Sequence, residues 1–260
     1  MNPIRVVTYN IHKGVRGARW SPRVELHNLS LAMSEFDADF IALQEVRHVV
    51  HAATPGAHAV DLAPTHNDAH HSQAHFLAPM GYDVVYQTNA FTRSGEHGNA
   101  LLTRWPVVRH QHEDVSDHQL EQRGLLHVEV MCHAQPLHVI VVHLGLLPGS
   151  RRRQVTQLRT FIQREIPTHH AVVVAGDFND WGPMARRLLA QVGFATPDPV
   201  KTFPSRWPVA ALDQVLARRL KPLCASAPRG KVWRRMSDHL PLIVDWSWSK
   251  PLHPQGASDV

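Results

Sequence analysis

Four apolar runs, each closed by a side chain that does not belong in a core, constrain this chain more than any other feature. Val6-Val7-Thr8-Tyr9 leads to Asn10, and Phe40-Ile41-Ala42-Leu43-Gln44 leads to Glu45. Val139-Ile140-Val141-Val142 leads to His143, and Val172-Val173-Val174-Ala175-Gly176 leads to Asp177. Continuously apolar, β-branched runs read as strands covered on both faces. Shorter runs at Val84–Tyr86, Leu125–Met131 and Leu242–Val244 carry the pattern along the chain. Between them, Leu26, Leu29, Met33 and Phe36 recur at three- and four-residue spacing, as do Val155, Leu158, Phe161 and Ile162, which marks amphipathic helices. Strands mixed with helices predict an α/β fold in packed layers. In such folds ligands collect where strands end and loops diverge.

The 260 residues are 43% hydrophobic, which suffices for one large domain, expected over residues 1–248. Two stretches stand apart from it. Residues 48–75 hold seven histidines among Ala, Pro, Asp and Thr at irregular spacing, and read as an insertion loop. That loop is solvated or rims the substrate site, and a metal tract would need more regular ligand spacing. Residues 249–260, rich in Pro, Gly and Ser, read as a disordered tail. Lys and Arg outnumber Asp and Glu by 27 to 22, and the net charge of +5 favours anionic partners. The two cysteines, Cys132 and Cys224, are too few for a disulfide framework and read as reduced thiols. No apolar run reaches bilayer-spanning length, and the chain enters a strand at once, leaving no signal peptide. A monomeric cytoplasmic protein is the resulting expectation.

The most specific stretch is Gly176-Asp177-Phe178-Asn179-Asp180-Trp181. If the extended conformation continues, Asp177 and Asn179 share one side, where a carboxylate can orient water and an amide can donate to a phosphate oxygen. The bland alternative is an Asx-type turn ending a buried strand. Ser237-Asp238-His239 precedes another apolar strand, and His239 can act as a base or, protonated, stabilise negative charge. Asp213 is the candidate to fix the tautomer of His239. Glu45 closes an apolar run where a bare carboxylate is costly, and a hard cation such as Mg²⁺ removes that difficulty. Asn10 can hold Glu45 or the metal. His143 and, less strongly, Asn99 are candidate donors to phosphate. Arg123 and Arg151-Arg152-Arg153 can contribute to a basic groove, although a solvated helix start explains the arginine run as well.

Taken together, TYNIHKG (8–14), IALQEV (41–46), GNALLTRWPV (98–107), QRGLLHVEV (122–130), VVHLGL (141–146), VVVAGDFNDW (172–181), TFPSRWP (202–208), LDQV (212–215) and SDHLPL (237–242) resemble the endonuclease/exonuclease/phosphatase superfamily. DNase I-like nucleases, abasic-site endonucleases, neutral sphingomyelinases and inositol-polyphosphate phosphatases belong to it. The stretches are most similar to an uncharacterised bacterial branch. The resemblance implies a four-layer α/β sandwich, two mixed β-sheets flanked by helices, with the site at one edge. It implies Glu45 as metal ligand with Asn10 beside it, and Asp238 meeting the metal directly or through water. It implies Asp177 orienting the attacking water, Asn179 holding a phosphate oxygen, His143 and His239 on the scissile phosphate, and Asp213 turned toward His239. Mg²⁺ is the implied cofactor, with Mn²⁺ the alternative. One departure is LDQV, where many relatives place Arg or an aromatic residue after the Asp.

The expected activity is therefore metal-dependent hydrolysis of a phosphate ester, foremost a phosphodiester. Nucleic acid, a phospholipid head group and a phosphomonoester all fit one catalytic set, so the sequence leaves nuclease, peripheral lipid enzyme and phosphatase open. A non-catalytic binding protein on the same scaffold would have damaged catalytic positions, and here they are all present.

Overall fold

Strands apolar on both faces need cover above and below, and the chain supplies it by stacking two sheets and flanking them with helices. The computed structural model describes residues 2–16, 23–48, 72–92, 95–118 and 121–249. The first sheet has the order β13 (Leu220–Ser226), β14 (Leu242–Trp248), β1 (Ile4–Asn10), β4 (Phe40–His48), β6 (Gly95–Thr103), β5 (Asp83–Thr92). The second has the order β11 (Phe194–Ala195), β12 (Asp213–Arg218), β10 (Ala171–Asp177), β9 (Gln135–His143), β8 (Gly124–Cys132), β7 (Val107–Asp114). A short ribbon pairs β2 (Val15–Arg16) with β3 (Arg23–Val24).

Alternation along each strand sends successive side chains to opposite faces. Val6, Phe40, Ala42 and Val244 of the first sheet meet Val128, Val139, Val173 and Val215 of the second in a central core. Their neighbours Val7, Ile41 and Leu43 face outward under α1 (Leu26–Glu35) and α2 (Gln73–Leu77). Ile140, Val172 and Val174 face α3 (Pro148–Glu165) and α4 (Met184–Ala190) across the other outer core. The layers therefore run helix, sheet, sheet, helix, the four-layer α/β sandwich expected from the motifs. Each large apolar side chain fully buried in these cores contributes roughly 1.5–3 kcal/mol.

The apolar runs understate the strands. The second of them continues past Glu45 to His48, and Val84–Tyr86 is part of a ten-residue strand. Strand β7 (VVRHQHED) was invisible as an apolar run because it is an edge strand, with most of its side chains exposed or half-buried. Phe36 caps α1 rather than extending it, and stacks on Trp233 of α5 (Trp233–Met236) at 5.5 Å. Most of the histidine-rich insertion and nearly all of the tail lie outside the described residues. No helix among the described residues is long and apolar enough to cross a membrane.

Candidate active site

Strands β1 and β4 run parallel, as do β9 and β10, so four chain segments reach the same edge of the sandwich with their C-terminal ends. Strands β12 and β14 are antiparallel to β10 and β1, so they start from that edge. Register does the rest. His143 and Asp213 are the direct partners of Asp177 on either side. Gly176 permits this: a Cβ there would lie 1.9 Å from the Val142 carbonyl oxygen, so only glycine lets β9 and β10 approach one residue before the carboxylate.

Asp177 is the hub. Asn10 Nδ2 donates to its Oδ2 at 3.2 Å, and the Nε2 atoms of His143 and His239 each stand 3.7 Å from that oxygen. Its other oxygen accepts the Asn179 backbone N–H at 2.9 Å. Burial, reinforced by the Asp213 charge, raises the Asp177 pKa above the ordinary carboxylate range. On His239, burial opposes the charged form, but the charge and hydrogen bond of Asp213 outweigh it and the pKa rises. His239 Nδ1 lies 2.8 Å from Asp213 Oδ2, and Thr202 Oγ1 donates to the same oxygen at 2.5 Å. Burial first, then the neighbouring Arg123 and His239 cations, hold His143 well below its ordinary value, so it is neutral.

The extended conformation does not continue past Asp177. Asn179 adopts a left-handed backbone with φ 49°, and an Asx-type turn brings it back beside Asp177. Its Nδ2 donates to the Leu144 carbonyl at 2.9 Å, which leaves the second amide hydrogen free for a ligand. Glu45 does not end its strand. It sits in a bulge of β4 at φ 56°, where the register between Leu43 and Val46 shifts. Backbone strain of this kind costs on the order of 1–3 kcal/mol and concentrates at functional sites. Here it turns a carboxylate out of the strand just past its apolar run.

Asn10 Oδ1 accepts the His12 N–H at 3.1 Å, while its Nδ2 also reaches Glu45 Oε1 at 3.4 Å, so the amide lies between two carboxylates. Glu45 Oε2 and Asp238 Oδ1 lie 4.0 and 3.5 Å from one atom, His12 Nδ1, and so address a shared space at the edge of the first sheet. Lys13 Nζ is also 4.0 Å from Glu45 Oε2. Asp177, Asp213 and His239 form a second cluster, with donor atoms within 4.8 Å of one another.

One expectation is corrected. Asn99 is 0% exposed, and its amide donates to the carbonyls of Gly124 and Val141 at 3.1 and 3.3 Å. Both of its hydrogens are spent tying the two sheets together, so none is left for a phosphate. The arginine run lies in the first turns of α3, the alternative to a basic groove. Arg151 is buried, donates to Gly145 and Leu146 carbonyls, and lies 3.7 Å from Asp180, while Arg153 pairs with Asp117. Arg123 remains near the site: Glu121 Oε1 holds its Nη2 at 3.1 Å, and its charge acts on His143, Glu45 and Asp177.

Sequence reasoning missed His12, Lys13, Thr202 and Ser237. The first two follow Asn10 inside NIHKG, which is a signal of position. Thr202 and Ser237, whose Oγ donates to the Asn10 carbonyl at 2.7 Å, open TFPSRWP and SDHLPL, which signals position but not what their hydroxyls bond.

Known proteins share this arrangement of chain. The uncharacterized protein YbhP of Escherichia coli (strain K12) is 35% identical over 251 residues, covering 93% of this chain and 95% of that protein. An endonuclease/exonuclease/phosphatase from Beutenbergia cavernae DSM 12333 matches with a TM-score of 0.72 at 20% identity, covering 96% of this chain and 73% of that one. The human Nocturnin catalytic domain, solved with bound sulfate, matches with a TM-score of 0.70 at 20% identity, covering 95% and 94%. The sequence itself matches the Endonuclease/Exonuclease/phosphatase family from residue 7 to residue 239, so that with the sandwich and its polar edge in place, the chain belongs to that family.

Proposed function

We propose that this chain hydrolyses a phosphodiester by in-line displacement, with Asp177 directing the attacking water. Family membership supports a hydrolase of phosphate esters. The observation that carries the reading is the single oxygen, Asp177 Oδ2, faced by Asn10 at 3.2 Å and by two imidazoles at 3.7 Å. A buried carboxylate with a raised pKa suits proton acceptance near neutrality. Protonated His239, held by Asp213, and neutral His143 donate to the oxygens of the scissile phosphate as charge develops. The remaining amide hydrogen of Asn179 serves the same oxygens, and Arg123 adds positive charge behind them.

The carboxylates of Glu45 and Asp238 fit a hard divalent cation, because both are oxygen donors addressing one space and Asn10 orients Glu45. Mg²⁺, or Mn²⁺ in its place, supplies charge neutralisation to the phosphate and the leaving alkoxide when bound there. The Asp177, Asp213 and His239 cluster reads as an orienting and proton-holding group, since His239 and Thr202 both use Asp213 Oδ2.

Hydrolysis of bis-p-nitrophenyl phosphate by purified protein tests this, with Mg²⁺, with Mn²⁺ and with EDTA. Turnover that needs the metal and falls at least about 10²-fold in Glu45→Gln is the expected result. Turnover that survives EDTA overturns the metal assignment. Activity confined to p-nitrophenyl phosphate overturns the diester preference and leaves a phosphomonoesterase.

A further inference from the structure

The loops that carry the candidate catalytic residues also carry a rim of exposed apolar side chains. Leu146 and Leu147 follow His143 at the end of β9, and Trp181 follows Asp177 and Asn179 at the end of β10. Trp207 and Val209 precede β12, and Val232 lies just before Asp238 and β14. All six are therefore on the edge where the site opens. Trp207 is 77% exposed and Trp181 67%. The rim is continuous with the site through Phe203, whose ring stands 6.2 Å from Trp181 and 4.8 Å from His239.

Cations gather beside it. Arg206, Lys231, Arg234 and Arg235 converge with Trp207 around a recess of about 340 Å³. All four are exposed, and none is ion-paired to a described carboxylate. The segment is anchored to the catalytic loop: Ser205 N donates to the Asp238 carbonyl at 2.6 Å and Ser205 Oγ to the Ser237 carbonyl at 2.7 Å.

We propose that this edge docks on an anionic lipid surface, with Trp207, Trp181 and the aliphatic rim entering the headgroup–acyl boundary and Arg206, Lys231, Arg234 and Arg235 meeting lipid phosphates. It rests on the phosphoesterase reading in that the docked edge is the catalytic one, which would deliver the site to lipid head groups. Clustered exposed apolar residues mark an interaction surface. Charge complementarity selects its partner as anionic. The aliphatic residues separate a lipid from a nucleic acid: bases stack on aromatic rings and gain little from Leu or Val. An interfacial layer takes Trp, Leu and Val alike, with Lys and Arg toward the phosphates.

Cosedimentation of the full chain with vesicles tests the proposal, using phosphatidylcholine alone and equal parts phosphatidylcholine and phosphatidylglycerol. Binding to the mixed vesicles alone, weakened by salt, is expected. Each cation removed in Arg234→Ala with Arg235→Ala weakens partitioning about fivefold, and Trp207→Ser weakens what persists at high salt. Variants that partition as the wild type does overturn the proposal. So does loss of single-stranded oligonucleotide binding in those variants while vesicle binding persists, which assigns the patch to nucleic acid. The readout does not depend on turnover. Vesicle binding without turnover of either nitrophenyl phosphate would sink the phosphoesterase reading and leave the docking surface, and hydrolysis without vesicle binding would do the reverse.

Discussion

Asp213 Oδ2 holds His239 Nδ1 at 2.8 Å while the opposite ring nitrogen, Nε2, stands 3.7 Å from Asp177 Oδ2. The pairing decides which nitrogen faces the site, because the proton shared with Asp213 leaves Nε2 as the atom presented to a ligand. Asp213 reaches this position as the register partner of Asp177 across β10 and β12. One strand pairing therefore delivers both the hub carboxylate and the group that orients its histidine.

Replacing Asp213 by Asn keeps the shape and removes the charge that raises the His239 pKa. Turnover of bis-p-nitrophenyl phosphate should fall on the order of 10- to 100-fold, with KM little changed. An unaltered kcat would show that Asp213 does not position His239.

Asp177→Asn should separate activity from stability. Turnover should fall at least about 10²–10³-fold. Burial disfavours the ionised carboxylate, so the neutral amide should leave the melting temperature equal or higher, the usual signature of a functional group held against its own stability. A melting temperature lowered by many degrees would mean that Asp177 holds the edge together instead.

For Asn99 the opposite split is expected. Asn99→Ala removes two inter-sheet hydrogen bonds and should cost about 1–3 kcal/mol in chemical denaturation. The folded enzyme should keep its KM. A raised KM with unchanged stability would return Asn99 to phosphate binding.

Acid should weaken the fold through a histidine chain distant from the site. His127 Nε2 lies 2.9 Å from His138 Nδ1, and His138 Nε2 lies 2.9 Å from His170 Nδ1, with the His127 ring against Phe161 of α3. Burial pushes the pKa values of His127 and His138 from 6.5 down to about 4. The unfolded chain then binds more protons than the folded one between those values, so the stabilisation is complete above pH 6.5 and is lost as pH falls toward 4. Urea midpoints measured across that window should decline, and His127→Gln should flatten the decline. A midpoint independent of pH there would show that the pair is not held neutral.

Much of the candidate site was legible along the chain. Asn10, His143 and Asp177 each close an apolar run, and a polar residue ending a doubly buried strand has few places to go except the edge of the sheet. The α/β class followed from the same runs and from the helical spacing of Val155, Leu158, Phe161 and Ile162, whereas the four-layer order was implied by the motif resemblance. Glu45 was found for a partly mistaken reason: it lies inside its strand, and a bulge turns it out.

Local periodicity is written in neighbouring residues, so the sequence alone determined most of the core strands, the two longest helices and most of the polar residues at the strand ends. Only the tertiary structure decided their partners. Asn99 sits in a motif yet spends both amide hydrogens on the facing sheet, and Thr202 and Ser237 open motifs that do not say what their hydroxyls bond. The physical reason is that register, side-chain direction and hydrogen-bond satisfaction are settled between strands far apart in sequence. A one-residue slip there would put a different set of side chains on Asp177.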